Sequence, residues 1–145
     1  MGGLDLVVVD HTGLIGTPRG AAYESTTKRE GRKSRELKAL SKELGTPVLL
    51  VQQLSRGLEG RSDKRPQLSD LRDSGEHEEN ADVVVALYWD GYYKHGKGPK
   101  DDKLEILCLK HRNGPGRVRS VLRYQRALSR FSEFAVGAEV APEQT

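Results

Sequence analysis

Cysteine, long apolar runs and surplus charge are all scarce in this sequence. Its only cysteine, Cys108, excludes an internal disulfide and a cysteine-rich zinc site, and favours a reducing, cytoplasmic location. No apolar run approaches the roughly 20 residues that cross a membrane. The first run, at residues 6–9, also lacks the basic flank of a secretory signal. Hydrophobic residues make up 35% of the 145 residues and charged residues 31%. We therefore expect one domain, or part of a larger one, with a modest core and no membrane contact.

The net charge of +3 is small, but the charges are unevenly distributed. Residues 19–38 contain seven basic and three acidic side chains, and residues 110–130 contain seven basic and no acidic ones. Acidic side chains dominate residues 63–90. Each block on its own is typical of a solvated surface, yet two basic blocks in one small chain favour a phosphate-rich partner.

Short apolar runs and one amphipathic segment predict the first elements. Residues 6–9 and 47–51 are apolar without a polar interruption, which is typical of strands buried on both faces of a parallel sheet. Residues 32–44 carry leucines at helical spacing. Gly45 and Pro47 follow, and they predict that the helix ends there.

The second half of the chain is predicted to be strand-rich. Residues 83–88 predict a third strand, and residues 104–109 and 118–124 flank the turn sequence NGPG at 113–116, which predicts an antiparallel hairpin. This order of elements predicts an α/β fold with a mostly parallel sheet and an antiparallel C-terminal hairpin. Residues 136–145 are predicted to be a flexible tail.

Asp10 directly follows the first predicted strand. At the carboxyl end of a parallel strand, an aspartate can hold the water shell of Mg²⁺ beside nucleotide phosphates, although many such aspartates only cap the next turn. A phosphate loop of the form G-x-x-x-x-G-K-[ST] would support the first interpretation. The near match at residues 91–98 ends in Gly98 and leads into a strand rather than a helix, so we interpret it as a flexible loop.

A long polar stretch separates the second and third predicted strands, and the sequence SDLRDSG occupies residues 69–75 of it. This segment could simply cap the acidic turn that follows. Alternatively, Arg72 could bind a phosphate while Gly75 allows a main-chain N–H to approach one. His77 lies among glutamates with no second His or Cys nearby, so a solvated surface is favoured over a metal site.

Two cations, Lys110 and Arg112, flank His111 at the end of the first hairpin strand. Because side chains alternate along a strand, we expect the two cations to point the same way. Paired cations at a rigid hairpin tip suit a triphosphate, although an ordinary solvated tip would also explain them.

Taken in order, these features resemble the C-terminal half of the RecA-like ATPase domain of bacterial replicative DNA helicases of the DnaB type. The resemblance extends over about residues 4–135. It rests on six stretches taken together: SRELKALSKEL (34–44), QLSR (53–56), DKRP (63–66), SDLRDSG (69–75), NAD (80–82) and KHRNGP (110–115).

The resemblance implies a partial RecA-like P-loop NTPase fold, with residues 1–135 as the C-terminal half of a helicase motor domain. It implies ATP and Mg²⁺ as cofactors. It also implies single-stranded DNA and other helicase subunits as partners, because the family assembles as a homo-hexamer around DNA. The implied activity is ATP-driven translocation and unwinding of duplex DNA.

The resemblance also assigns roles to single residues. Asp10 resembles the Walker B aspartate, which holds Mg²⁺ through water, and Gln53 resembles the glutamine that senses the γ-phosphate. Lys110 and Arg112 resemble the paired cations that reach the nucleotide of a neighbouring subunit, with Arg112 as an arginine finger.

The segment that contains Arg72, Asp73 and Gly75 resembles the loop that follows the DNA backbone in the family. The Walker A loop and the catalytic glutamate would precede Asp10, so we expect the 145 residues alone not to hydrolyse ATP. We therefore expect a fragment of a helicase, or a split or decayed gene product. The alternative is a catalytically inactive module that binds single-stranded DNA or docks onto helicase subunits. A recombinase-type or clock-type RecA-like ATPase is less consistent with the Arg72 segment and with residues 110–114.

Overall fold

The computed structural model describes residues 3–16, 24–71, 75–94 and 102–133, and the chain divides into two compact units, Met1–Asp82 and Val83–Thr145. The first unit contains β1 (Val7–Asp10), α1 (Thr26–Leu44), β2 (Val48–Val51) and α2 (Gly75–Asn80), with 3₁₀ turns at Thr12–Leu14, Arg56–Gly60 and Leu68–Asp70. The second unit contains β3 (Val83–Trp89), α3 (Asp90–Tyr93), β4 (Lys103–His111), β5 (Val118–Gln125) and β6 (Arg130–Ser132), with a 3₁₀ turn at Arg126–Leu128. The predicted domain boundary at residue 135 and the predicted tail lie outside the described residues.

The two strands of the first unit pair in parallel, as predicted. Their register runs from Val7 opposite Val48 to Asp10 opposite Val51. The expectation that both faces would be buried is wrong for the described chain, because Val8 is 57% exposed. An apolar run shows that a strand can be buried, but its covering depends on what packs against it.

Helix α1 is longer than the predicted helix because its cap lies upstream of the leucine pattern. The Ser25 side chain accepts a hydrogen bond from the Lys28 N–H (3.4 Å), and the helix begins at Thr26. The predicted end is confirmed. Gly45 adopts a left-handed conformation at φ 61°, and its N–H is bonded back to the last turn. A residue with a side chain is strained there, whereas glycine is not.

Buried residues of the first unit are mostly polar. Leu58 is the one apolar side chain there among the most buried described residues. The buried polar members of this unit are Thr12, Lys33, Ser34, Thr46, Asp70 and His77. Because a buried polar group is costly unless it is hydrogen-bonded, the packing of this unit depends on how these groups are paired.

The second unit is a four-stranded antiparallel sheet in the order β3-β4-β5-β6. The predicted hairpin is confirmed as β4 and β5, but the antiparallel part also includes β3 and the unpredicted β6. Strand β3 alternates strictly, with Val84, Ala86 and Tyr88 buried and the intervening side chains exposed. The buried Glu105 of β4 is bonded to Arg119 of β5 at 2.9 Å.

Among the described residues, no helix is long and apolar enough to cross a membrane.

Candidate functional site

The carboxyl ends of β1 and β2 bring Asp10 and Gln53 to one edge of the parallel pair. Asp10 is the last residue of β1 and lies opposite Val51, the last residue of β2, and Gln53 follows two residues later. Both side chains are exposed. Ligands of parallel α/β sheets bind at the carboxyl edge of the strands, so both predicted residues lie where a ligand would be bound.

A single carboxylate at this edge suits Mg²⁺ better than a metal that needs a protein cage. Mg²⁺ keeps several waters and is commonly bound through one or two carboxylates together with substrate phosphates. Among the described residues there is no cluster of three or more His, Cys, Asp or Glu side chains that could hold a metal ion. The exposed Asp10 therefore fits a hydrated Mg²⁺ that arrives with a nucleotide.

Sequence reasoning missed the group of buried side chains just behind this edge. Thr12, two residues after Asp10, is 3% exposed, and its hydroxyl donates a hydrogen bond to Gln52 Oε1 at 2.6 Å. This bond joins the chain leaving β1 to the chain leaving β2, next to Gln53. No sequence signal identifies Thr12, because threonines are common in the polar segment that follows β1.

Lys33 of α1 extends this group into the helix. Its Nζ donates to the Thr12 carbonyl at 2.9 Å and to Glu30 Oε1 at 2.8 Å. Burial acts to raise the pKa of Glu30. The hydrogen bonds from Lys33 and Thr12, and the positive charges of Lys33 and His77, outweigh burial and hold the pKa below its ordinary value of 4.5. Glu30 is therefore an anion held by a buried cation.

Helix α2 corrects the prediction of an acidic, solvated turn after the SDLRDSG segment. His77 is 6% exposed, not solvated, and its Nε2 lies 3.7 Å from Glu30 Oε2. The position of Gly31 explains how closely the two helices approach. A Cβ on Gly31 would lie 2.3 Å from the Glu76 carboxyl carbon, so only glycine leaves room.

Of the residues predicted to contact DNA, Arg72 and Asp73 lie outside the described residues, whereas Gly75 is the first residue of α2. The chain that leads into this segment is well defined. Leu71 forms an isolated antiparallel bridge with Leu54, the residue directly after Gln53. The segment 72–74 therefore begins next to the edge that carries Gln53.

Asp70 holds the polar stretch before this bridge in place. It is 6% exposed, and its Oδ2 accepts hydrogen bonds from Arg61 Nη2 at 2.6 Å and from the Gln67 N–H at 2.8 Å. Its carbonyl accepts from the Ser55 N–H at 2.7 Å. Asp70 thus connects three points of the stretch that joins β2 to α2.

The second unit carries Lys110 and Arg112 at the end of β4. Lys110 is the penultimate strand residue and is half-buried, whereas Arg112 lies beyond the strand, in the turn, and is exposed. The argument that strand alternation puts both side chains on one face is therefore wrong, since Arg112 is not a strand residue. A register shift between Val84 and Val85, opposite this end of β4, also interrupts the alternation.

The near match to a phosphate loop is rejected by its geometry as well as by its sequence. Residues 90–93 form the helical turn α3, not the flexible loop that we expected, and residues 95–100 lie outside the described residues. Gly91 is buried beneath the Trp89 ring, where a Cβ would lie 2.6 Å from the indole. This glycine serves packing.

Many charges of the two basic blocks are paired within the fold. Carboxylates lie within ion-pair distance of four α1 cations and two β5 cations: Arg32, Lys33, Arg35 and Lys38, and Arg119 and Arg123. Charge counts along the sequence therefore overstate the surface offered to a phosphate-rich partner.

Comparison with known proteins places these features in one family. The sequence model of the DnaB-like helicase C terminal domain matches residues 1–133. The chain is 41% identical over 133 residues to the replicative DNA helicase DnaB of Leifsonia xyli subsp. xyli. It is 45% identical over 135 residues to that of Pasteurella multocida. Both matches cover 92% of this chain and 28% of the relative, so the chain spans little more than a quarter of their length.

Solved structures give the same result. A solved helicase-type ATPase domain matches with a TM-score of 0.80 and 36% identity, over 89% of this chain and 44% of that one. A DnaB-like replicative helicase studied for its interactions with primase also matches with a TM-score of 0.80 and 36% identity, over 89% of this chain and 31% of that one. The RadB recombinase shares the fold alone, with a TM-score of 0.51 and 18% identity. The predicted RecA-like fold class is confirmed by these matches.

Proposed function

Because the chain belongs to the DnaB-like helicase C-terminal domain family, we propose that it forms the C-terminal half of the motor domain of an ATP-dependent replicative DNA helicase. The complete motor would translocate on single-stranded DNA and unwind duplex DNA. One observation carries the proposal. The bridge between Leu54 and Leu71 sets the start of the proposed DNA segment next to Gln53 at the strand edge.

On the nucleotide side, we assign Asp10 to hold Mg²⁺ through water and Gln53 to contact the γ-phosphate. Their common position at the carboxyl edge of β1 and β2 supports this assignment. Bound Mg²⁺ would neutralise charge on the β- and γ-phosphates of ATP. Loss of the γ-phosphate would change the contacts of Gln53, and the adjacent bridge would pass that change to residues 72–74.

On the DNA side, we assign Arg72, Asp73 and Gly75 to contact the phosphate backbone. The family match covers these residues, and the main-chain fold on both sides of residues 72–74 supports an ordered entry and exit. Backbone contacts position a nucleic acid without reading its sequence, so binding should be sequence-independent and should weaken as salt rises.

Lys110 and Arg112 are assigned to the nucleotide of a neighbouring subunit in a homo-hexameric ring. Arg112 is exposed in the turn after β4, as a residue that acts across an interface must be. A trans-acting arginine stabilises charge in the transition state, so it should affect turnover more than ATP binding.

The exposed apolar strands of the first unit support the proposal that this chain is part of a larger domain. Leu6, Val8 and Leu49 are 50%, 57% and 53% exposed. We propose that they pack against the portion of a motor domain that the relatives have and this chain does not match. The 44% coverage of the solved ATPase domain supports this reading.

The experiment is a chimera in which these residues replace the matching segment of the Pasteurella multocida helicase, to which they are 45% identical. We expect DNA-stimulated ATPase activity in the chimera. Asp10→Asn and Arg112→Ala should each reduce kcat strongly, by on the order of 10³ for the arginine. Asp5→Asn, which alters an exposed carboxylate just before β1, is the matched control and should have no effect.

Mixing the two defective chimeras tests the assignment in trans. Rings that contain both Asp10→Asn and Arg112→Ala subunits have some interfaces with both groups intact, so mixed rings should recover activity. If rings shown to exchange subunits stay inactive at every ratio, Arg112 does not act across an interface.

The second candidate, an inactive module that binds single-stranded DNA or docks onto helicase subunits, is favoured by one observation. The 145 residues contain no complete G-x-x-x-x-G-K-[ST] sequence. We expect the polypeptide alone to release no phosphate from ATP, with or without DNA. Turnover by the pure polypeptide that Asp10→Asn abolishes would overturn this expectation.

A further inference from the structure

A buried lysine lies behind the strand edge that carries Asp10 and Gln53. Lys33 is 7% exposed, and lysine is rarely buried to that degree unless it is paired. Its ammonium donates to the Thr12 carbonyl at 2.9 Å and to Glu30 Oε1 at 2.8 Å. It thus joins the middle of α1 to the chain that leaves β1.

Thr12 continues this connection to the second strand. Its hydroxyl lies 2.6 Å from Gln52 Oε1, and Gln52 directly precedes Gln53. The position of the chain after β2 therefore depends on Thr12, and the position of Thr12 depends on Lys33. Neither contact involves Asp10 or Gln53 directly.

Glu30 extends the group to the helix that follows the proposed DNA segment. Its second oxygen, Oε2, lies 3.7 Å from His77 Nε2 in α2. The Ser34 hydroxyl, one turn along α1, is 3.5 Å from the Glu76 carbonyl and accepts from Asn80 Nδ2 at 3.3 Å. One face of α1 thus contacts both the strand edge and α2.

We propose that Lys33 is a positioning residue that fixes the Asp10 and Gln53 edge relative to α2. A buried ion pair is weak evidence for stability, because apolar side chains of similar volume often stabilise a fold as well or better. A charged lysine that satisfies a main-chain carbonyl and a carboxylate at once gives one specific arrangement of three elements. The use of that edge for nucleotide chemistry rests on the proposed function, whereas the positioning itself does not.

The first test measures amide hydrogen exchange in the 145-residue chain and does not need ATP turnover. The variant is the double substitution Lys33→Met with Glu30→Leu, which removes the bond to Thr12 without leaving a lone charge buried. The reporters are the Leu14 and Ile15 amides, bonded to the carbonyls of His11 and Thr12. Lys42→Met, at an exposed position of the same helix, is the matched control.

We expect Leu14 and Ile15 to exchange about tenfold faster or more in the double variant, a factor typical of losing one hydrogen bond to a charged group. Amides in the second half of α1 should keep their rates, and Lys42→Met should change neither set. Unchanged rates at Leu14 and Ile15 would overturn the proposal. So would an equal acceleration throughout the first unit, since that reports lost global stability.

The second test uses the active chimera and separates binding from turnover. The double variant should lower kcat while KM for ATP changes much less, because the edge would still form but its geometry would be less fixed. Lys33→Arg, which keeps a donor and the charge, should recover part of the loss. A normal kcat together with faster exchange at Leu14 and Ile15 would overturn the role in turnover. An inactive wild-type chimera would instead count against the proposed function, and the exchange result would still decide the positioning.

Discussion

Replacing Asp70 with alanine should destabilise the stretch between β2 and α2 more than any exposed carboxylate of that stretch does. The Asp70 side chain is 8% exposed and accepts two hydrogen bonds, from the Gln67 N–H at 2.8 Å and from Arg61 at 2.6 Å. Its loss would leave a main-chain donor and a guanidinium without their acceptor.

The magnitude follows from these contacts. A hydrogen bond to a charged group contributes about 1.5–3 kcal/mol, and we assign that range to the Gln67 N–H. Arg61 is 30% exposed, so its ion pair is screened by solvent and we expect it to add only about 0.5–1 kcal/mol. The expected loss for Asp70→Ala is therefore about 2–4 kcal/mol. Asp70→Asn keeps an acceptor for Gln67, and its loss should be smaller.

The assay is urea unfolding followed by circular dichroism, together with hydrogen exchange at the Ser55 amide, which is bonded to the Asp70 carbonyl at 2.7 Å. Asp63→Ala is the matched control, because the Asp63 side chain is 63% exposed, although it accepts from the Arg65 N–H at 3.0 Å. We expect the control to cost less than about 1 kcal/mol. Equal losses for Asp70→Ala and Asp63→Ala, or an unchanged Ser55 amide, would refute the reasoning.

Two further predictions concern α1. Gly45→Ala should lower the free energy of unfolding by about 1 kcal/mol, because φ there is 61°; Gly57→Ala, where the nearest atom to a Cβ would be 3.6 Å away, should change it much less in the same urea assay. Glu30→Gln should be destabilising at neutral pH, and its difference from the wild type should shrink on acidification. The folded-state pKa of Glu30 is lowered, so its stabilisation is complete above the ordinary value of 4.5 and is lost as pH falls from there through the lower folded value. A difference that stays constant between neutral pH and strongly acidic pH would contradict the assignment.

The sequence predicted those elements that depend on local patterns. Apolar runs located β1, β2 and β3, and Gly45 with Pro47 located the end of α1. The turn sequence at 113–116 located the hairpin of β4 and β5. Each of these signals acts within a few residues, so it can be recognised without knowing the partners of the segment.

Pairing partners and burial were harder to predict. The apolar run of β3 is compatible with either sheet, and its antiparallel pairing with β4 depends on contacts far along the chain. Strand β6 has only three residues, Arg130–Ser132, and is largely exposed, so no pattern of its own announces it. Short strands of this kind are defined by the neighbour they pair with.

The buried polar group was missed for a related reason. Lys33, Glu30 and His77 occur in charged stretches of the sequence, where a solvated surface is the ordinary interpretation. Each becomes buried only because the others supply its partner, and the pairs Lys33–Thr12 and Glu30–His77 join residues far apart in the chain. Patterns along a sequence do not report such mutual dependence.

The two sources of inference about the site supplied different information. The resemblance assigned ligand roles to Asp10 and Gln53, and the register of β1 and β2 shows independently that both belong to one edge. Resemblance alone did not explain why the stretch that contains Asp70 accompanies them. The structure does, because Asp70 fixes the chain that ends in the bridge between Leu71 and Leu54. Part of a motif that resembles a DNA-binding loop is therefore a support for that loop. A substitution at Asp70 should impair DNA binding only to the extent that it changes the fold of this stretch, whereas a substitution at Arg72 should weaken binding in a chain that is otherwise unaltered.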